Sequence, residues 1–311
     1  MAWIIFLAPA DLGETVLASG AVAHALRDPG DELTIVGGPE AAALFRGAPS
    51  AKICLPEQGA LTFAMGMRLQ PVRCDILIDA QGGMAGRVIP ANARIKLKSA
   101  SVLRHLVEAW GEAAGVERAL APKLWVDEAA RTAAAEVVSD AAPLLVLAPG
   151  GVTAAKRWPH ERFAAVARRL VDGPLQSARV VVLGAAARDA DITRAIVSSL
   201  DADGVAARDL GQGLDLLAAA ALMERATLCV GNDNALTHIG AAMGAPTLTL
   251  FGPTDERVRA PYGPRARTLR GRSLEEIAAS PALDAGAAMG DIGIDAVEAA
   301  ALDLLHAGGL R

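Results

Sequence analysis

The chain has 311 residues, enough for two domains of ordinary size, and 52 % of them are hydrophobic, which excludes a disordered chain. Aromatic residues are only 3 %, so the cores have to be built from Ala, Leu, Val and Ile. The formal charge of −5 gives no general pull toward nucleic acid, and the three widely spaced cysteines (Cys54, Cys74, Cys229) read as reduced thiols of a cytoplasmic protein.

The first ten residues are apolar, but they lack a basic stretch and Asp11 and Glu14 follow at once. A buried strand over residues 3–8 is therefore expected instead of a signal peptide. A helix over 15–27, a strand over 33–36 and a helix over 39–45 come next, then a strand over 75–79 and a helix over 101–114. The strands are continuous apolar runs instead of alternating ones, as in a parallel sheet covered on both faces. A break near 139–143 separates this half from a second one, giving expected domains of 1–140 and 141–311. There the rhythm restarts with strand 144–148, helix 159–171, strand 179–183 and helix 189–200. Helix 214–225, strand 228–230, helix 237–243, strand 247–251 and a closing helix over 294–306 complete it. No apolar run reaches the roughly 18 residues that a membrane span requires.

In open α/β sheets ligands sit beyond the carboxyl ends of the strands, so the loops there carry the informative residues. After strand 144–148 comes Pro149-Gly-Gly-Val-Thr-Ala-Ala-Lys-Arg-Trp-Pro159. Gly151 permits close backbone approach, Thr153 offers a hydroxyl, Lys156 offers a mobile charge, and a helix begins behind them. A phosphate site and an ordinary βα turn with a surface lysine are both compatible with this loop. After strand 228–230 comes Gly231-Asn-Asp-Asn-Ala-Leu-Thr-His238, where Asp233 or Asn234 can cap the next helix and aim its amides at an anion. Capping alone would also explain them, and His238 is equally a core histidine. The strand over 179–183 ends in a single glycine, Gly184, without a dinucleotide fingerprint, which weighs against a nicotinamide-dependent oxidoreductase.

Ala148-Pro-Gly-Gly with Lys156-Arg-Trp-Pro, then Gly231-Asn-Asp-Asn-Ala-Leu-Thr-His, then Leu250-Phe-Gly-Pro-Thr-Asp255 follow one another in an order that resembles glycosyltransferase family 9, the ADP-heptose:lipopolysaccharide heptosyltransferases. Leu12-Gly-Glu-Thr-Val-Leu and Ile78-Asp-Ala-Gln-Gly82 resemble the family's elements in the first half. The likeness implies a GT-B fold: two Rossmann-like, doubly wound parallel-sheet α/β domains facing a cleft, with the acceptor on the first and the donor on the second. It implies an inverting transfer of heptose from ADP-heptose to an anionic lipopolysaccharide-core acceptor, with no metal and no cofactor beyond the donor. Lys156 would grip the diphosphate with backbone amides near Asn234 and Ala235, Leu236 would belong to the same donor site, Asp233 would orient that loop, and Asp189 or Asp191 would reach the ribose.

Glu14 stands where the family places its aspartate base, and Ala235 where it usually has glycine. Those departures leave open a different sugar or acceptor on the same fold, or a member that binds without catalysing. Asp11 is expected to cap the helix. Gln81 and the basic cluster of Arg94, Lys96, Lys98, Arg104 and His105 suit an anionic acceptor, though a solvated basic edge would look the same. Such an acceptor also implies peripheral contact with the cytoplasmic face of a membrane.

Overall fold

The computed structural model describes residues 1–54, 59–97, 103–184, 187–211, 214–279 and 287–307. They form two compact units, Met1–Asp127 with Arg257–Tyr262, and Glu128–Glu256 with Gly263–Arg311.

The first unit holds strands β1 (Trp3–Leu7), β2 (Glu32–Val36), β3 (Ala51–Cys54), β4 (Cys74–Asp79) and β5 (Ala91–Lys96). They lie in the order β3-β2-β1-β4-β5, all parallel. Leu7 pairs with both Val36 and Asp79, so the carboxyl ends of the three inner strands are level and their loops open on one edge. The helix Leu12–Ala25 is buried along most of its length. Gly20 makes that burial possible, because a Cβ there would fall 2.1 Å from the Leu120 carbonyl oxygen. The helix Ala60–Arg68 buries Ala64 and Met67 and turns Leu61 and Met65 outward, with Leu69 exposed beyond its end. Arg68, at the end of that helix, and Arg73, five residues on, are exposed.

The second unit holds β6 (Leu144–Ala148), β7 (Arg179–Val182), β8 (Ala207–Asp209), β9 (Leu228–Asn232), β10 (Thr247–Phe251) and β11 (Ala266–Arg270). Their order is β11-β10-β9-β6-β7-β8, again all parallel. The core on one face gathers Leu145, Leu147, Val180, Val182, Val230 and Leu250 around Trp158 and Phe163. Each such side chain, fully buried, contributes about 1.5–3 kcal/mol. Trp158 also donates its indole N–H to Ile292 O at 2.9 Å, so its one polar atom is satisfied inside the core.

The unit boundary falls at Asp127/Glu128 and not at residue 140. The reason is the helix Glu128–Val137, which packs on the helix Leu216–Met223 of the second unit. Arg225 fixes the chain after it by donating to Val138 O and Asp140 O (2.6 Å to the latter). Cys74 and Cys229 are buried thiols, and burial pushes them up to about 11 and about 12. Among the described residues no helix is long and apolar enough to cross a membrane.

Candidate functional site

β6 and β9 are neighbours, and their carboxyl ends place the two informative loops of the second unit side by side. Two asparagines bind these loops together. Asn232, fully buried, accepts from the Trp158 amide (3.2 Å) and donates to Pro149 O (2.6 Å). Asn234 caps the helix Ala235–Ala242, its Oδ1 accepting from the amides of Leu236 (2.9 Å) and Thr237 (3.3 Å). Its amide nitrogen donates to Ala148 O and Gly150 O, both at 2.9 Å. One side chain thus holds a helix N-terminus against the glycine loop.

Lys156 closes the short 3-10 turn Ala154–Lys156 and reaches across to Asp233, Nζ to Oδ2 at 2.7 Å. The lysine side chain is 26 % exposed and the aspartate 8 %, so the lysine is partly open to solvent and the anion is enclosed. Burial works against ionisation of Asp233. His238, 3.9 Å from Oδ1, and Lys156 outweigh it and hold the carboxyl well below the usual range. His238 is buried, and its Nδ1 has no partner among the described residues. Gly151 is buried and its carbonyl accepts from Arg157 Nε at 3.0 Å, while Thr153 is exposed at the mouth of the loop.

Two of the expected donor contacts change character. Leu236 is a buried side chain whose amide is committed to the Asn234 cap, so the first amide that the helix leaves open belongs to Ala235. Asp189 is 1 % exposed and lies under the glycine loop. A Cβ on Gly150 would sit 2.5 Å from its Oδ2, and Arg157 lies 3.7 Å from its Oδ1. It supports the loop from beneath and does not present a carboxylate to a ribose. Asp191, the other residue considered for that contact, is solvent-exposed and paired with Arg194 at 3.0 Å.

In the first unit, Asp11 caps the helix Leu12–Ala25 by accepting from the Glu14 amide at 2.8 Å. The Glu14 carboxylate is paired with Arg259, Oε1 to Nη2 at 2.6 Å, and is 25 % exposed. It lines a cavity of about 420 Å3 shared with Asp79, Gln81, Gly82, Arg87, Lys96 and Trp110 among others. Asp79 anchors one wall: Oδ1 accepts from the Gly82 amide at 2.8 Å, and Gly82 and Gly83 both take left-handed φ (70° and 81°) that favours glycine. Gly86 is required beneath it, since a Cβ there would come within 1.9 Å of Asp79 Oδ2.

The basic cluster does not survive as a unit. Arg94 donates to the carbonyls of Gly86 and Ile89, closing the turn that follows β4, and does not line the cavity. Arg104 pairs with Glu108 and Glu112, and His105 caps the helix Leu106–Ala113. Lys98 lies outside the described residues. Lys96 and Gln81 remain at the cavity, joined by Arg87, which escapes notice in the sequence because nothing periodic or motif-like marks it.

Comparison with known proteins follows the same lines. Residues 84–285 match the family model described as glycosyltransferase family 9 (heptosyltransferase). Lipopolysaccharide heptosyltransferase 2 of Escherichia coli (strain K12) is 32 % identical over 135 residues, 43 % of this chain and 38 % of that protein. The match therefore spans well under half of that relative's length. The solved E. coli ADP-heptose lps heptosyltransferase II superposes with a TM-score of 0.74 at 21 % identity, covering 98 % of this chain and 99 % of the other. A glycosyltransferase family 9 structure from Veillonella parvula gives 0.77 at 20 % identity over 98 % and 97 %. At such identities the likeness is one of fold, the GT-B pairing of Rossmann-like parallel-sheet domains.

Proposed function

The chain belongs to glycosyltransferase family 9, and we propose that it transfers heptose from ADP-heptose, with inversion, to an anionic acceptor of the lipopolysaccharide core. The second unit is the donor side in this reading and the first unit the acceptor side. The observation that carries it is the Asn234 brace, which sets a helix N-terminus and the partly exposed Lys156 on one pair of loops. That is a site for a diphosphate.

The chemistry follows from the residues present. Glu14 takes the proton of the acceptor hydroxyl as its oxygen bonds to the anomeric carbon. The bond from that carbon to the diphosphate oxygen breaks with its electron pair, and ADP leaves. Lys156 and the Ala235 amide stabilise the charge that develops on the leaving diphosphate, which preorganised donors do most effectively. No metal or other cofactor enters the reading. Arg87, Lys96 and Gln81 attract the acceptor's negative groups into the cavity beside Glu14. The exposed Leu61, Met65 and Leu69, with the exposed Arg68 and Arg73 in the same stretch of chain, suit a peripheral contact of the first unit with an anionic membrane surface, on its cytoplasmic face. The E. coli relatives named above carry heptosyltransferase names and support the choice of sugar.

Purified protein tests this with ADP-heptose and a lipopolysaccharide-core acceptor, alongside thermal shifts with ADP, UDP and GDP. ADP should give the largest shift, and Glu14→Gln should lower the transfer rate by about 10²- to 10⁴-fold while keeping that shift. Preference for another base would reassign the donor, and full activity in Glu14→Gln would remove the base.

A further inference from the structure

Arg257–Tyr262 groups with the first unit, although the chain on both sides of it belongs to the second. Contacts with His105 seat it there. His105 Nε2 lies 2.9 Å from Ala260 O, and the His105 and Tyr262 rings stand 5.2 Å apart at 47°. Nδ1 of the same ring accepts from the Val107 amide at 3.4 Å, so the tautomer protonated at Nε2 satisfies both contacts. The ring is itself fixed as a helix cap, and it fixes the segment.

What the segment delivers is Arg259, at 2.6 Å from Glu14 Oε1. We propose that Arg259 is the positioning residue of the base, holding the Glu14 carboxylate in the one orientation from which it can take the acceptor proton. This rests on the assignment of Glu14 as the base under Proposed function.

The physical need is plain. A glutamate carboxylate hangs on three rotatable bonds, and a misplacement of roughly 1 Å can cost about 100-fold in rate. Asp11 fixes the Glu14 amide, which settles the backbone and leaves the carboxylate unheld. The guanidinium holds the other end. Arg87 and Lys96 line the same cavity, and the 2.6 Å pair commits Glu14 to Arg259. A carboxylate offers several acceptor directions, so its pair with Arg259 need not exclude the substrate proton. Arg259 is placed to act through Glu14 and not on the substrate, and that distinction is measurable.

The test is a double-mutant cycle read in kcat and in donor KM, with a circular-dichroism melt on every variant. Arg259→Gln should lower kcat by about 10- to 100-fold with donor KM unchanged. Arg259→Lys, which keeps the charge and loses the planar fork, should fall between it and the parent. In a Glu14→Gln background neither Arg259 change should slow transfer further, because the group it positions is gone. A kcat within about twofold of the parent in folded Arg259→Gln would overturn the proposal. So would losses that multiply in the Glu14→Gln background. Should Arg259→Gln not fold, Arg259→Lys takes its place in the cycle, and losses that multiply in the Glu14→Gln background overturn the proposal there as well. The first arm measured is Glu14→Gln alone: full activity there would sink the base assignment itself, and Arg259 with it, whereas failure of the cycle alone leaves Glu14 in place.

Discussion

Replacing Lys156 by methionine keeps an unbranched apolar stem as far as Cε and removes the ammonium from a pair 2.7 Å long. At an effective dielectric of about 20, two unit charges at that separation attract by roughly 6 kcal/mol, most of which only offsets their lost hydration. Deleting one partner of a fully buried pair costs about 3–5 kcal/mol. Here the lysine is a quarter exposed and His238 stays 3.9 Å from the other carboxylate oxygen, so a loss below that range, about 2–3 kcal/mol, is expected. Urea denaturation of the parent and Lys156→Met measures it. Asp233 gives the loss a pH signature. Its carboxyl is held below the unfolded value of about 3.9, so its contribution is complete above that pH and disappears as pH falls through the folded value. With Lys156 gone the folded value rises toward the unfolded one, and the variant should lose stability at a higher pH than the parent. The kinetic arm is separate: a cation lost from the leaving diphosphate should lower kcat by about 10²- to 10³-fold. A variant that shows the full stability loss and still transfers at the parental rate would refute the reasoning, because the pair would then be structural only.

Two further outcomes follow from the first unit. Arg87→Ala with Lys96→Ala should raise the acceptor KM by about tenfold, or ~1.4 kcal/mol, whereas Arg94→Ala should lower the melting temperature and leave that KM alone. An unchanged KM in the double variant would dismiss the cavity as the acceptor's anion site. The protein should float with vesicles containing anionic phospholipid, and Leu61→Ser with Met65→Ser and Leu69→Ser should abolish this; equal flotation of parent and variant would reject the stripe as the contact.

The division between what the sequence revealed and what it hid follows the sheets themselves. Among the described residues the inner strands, β1, β2, β4, β6, β7, β9 and β10, are apolar runs that announce themselves. The edge strands β3, β5, β8 and β11 went unseen, and they are the ones whose residues must face water: Ala-Arg-Asp in β8, Ala-Asn-Ala-Arg-Ile-Lys in β5. Edges are kept short and charged to prevent pairing with other chains, and that erases the pattern by which strands are read. The site divides in a similar way. Loops at the ends of inner strands stood out by glycine, lysine and capping residues. Arg94 misled because a charge run says nothing about which carbonyls are within reach, and here the turn at Gly86–Ile89 is within reach. Asn232 escaped notice for the opposite reason. It ends β9 as one polar residue in a buried run, and only tertiary contacts reveal that it binds two loops.

Capping and ligand binding looked like rival explanations of Asn234, and the geometry joins them. The cap consumes the amides of Leu236 and Thr237, so the helix can offer an incoming phosphate its dipole and the Ala235 amide, not a full set of free donors. In the proposed donor site the weight of the diphosphate therefore shifts to Lys156. That lysine is not idle, since Asp233 already holds it, but an ammonium carries three N–H donors and Asp233 accepts one. Two remain for the diphosphate, aimed by the first. Asp233 thus need not be displaced for the donor to bind. It fixes the direction of the cation, and its enclosed position keeps it from repelling the phosphates as an exposed carboxylate would. On this account Asp233→Asn weakens the donor site by freeing Lys156 to wander, even though it removes a negative charge from beside a diphosphate. Simple electrostatics without orientation would predict the opposite sign.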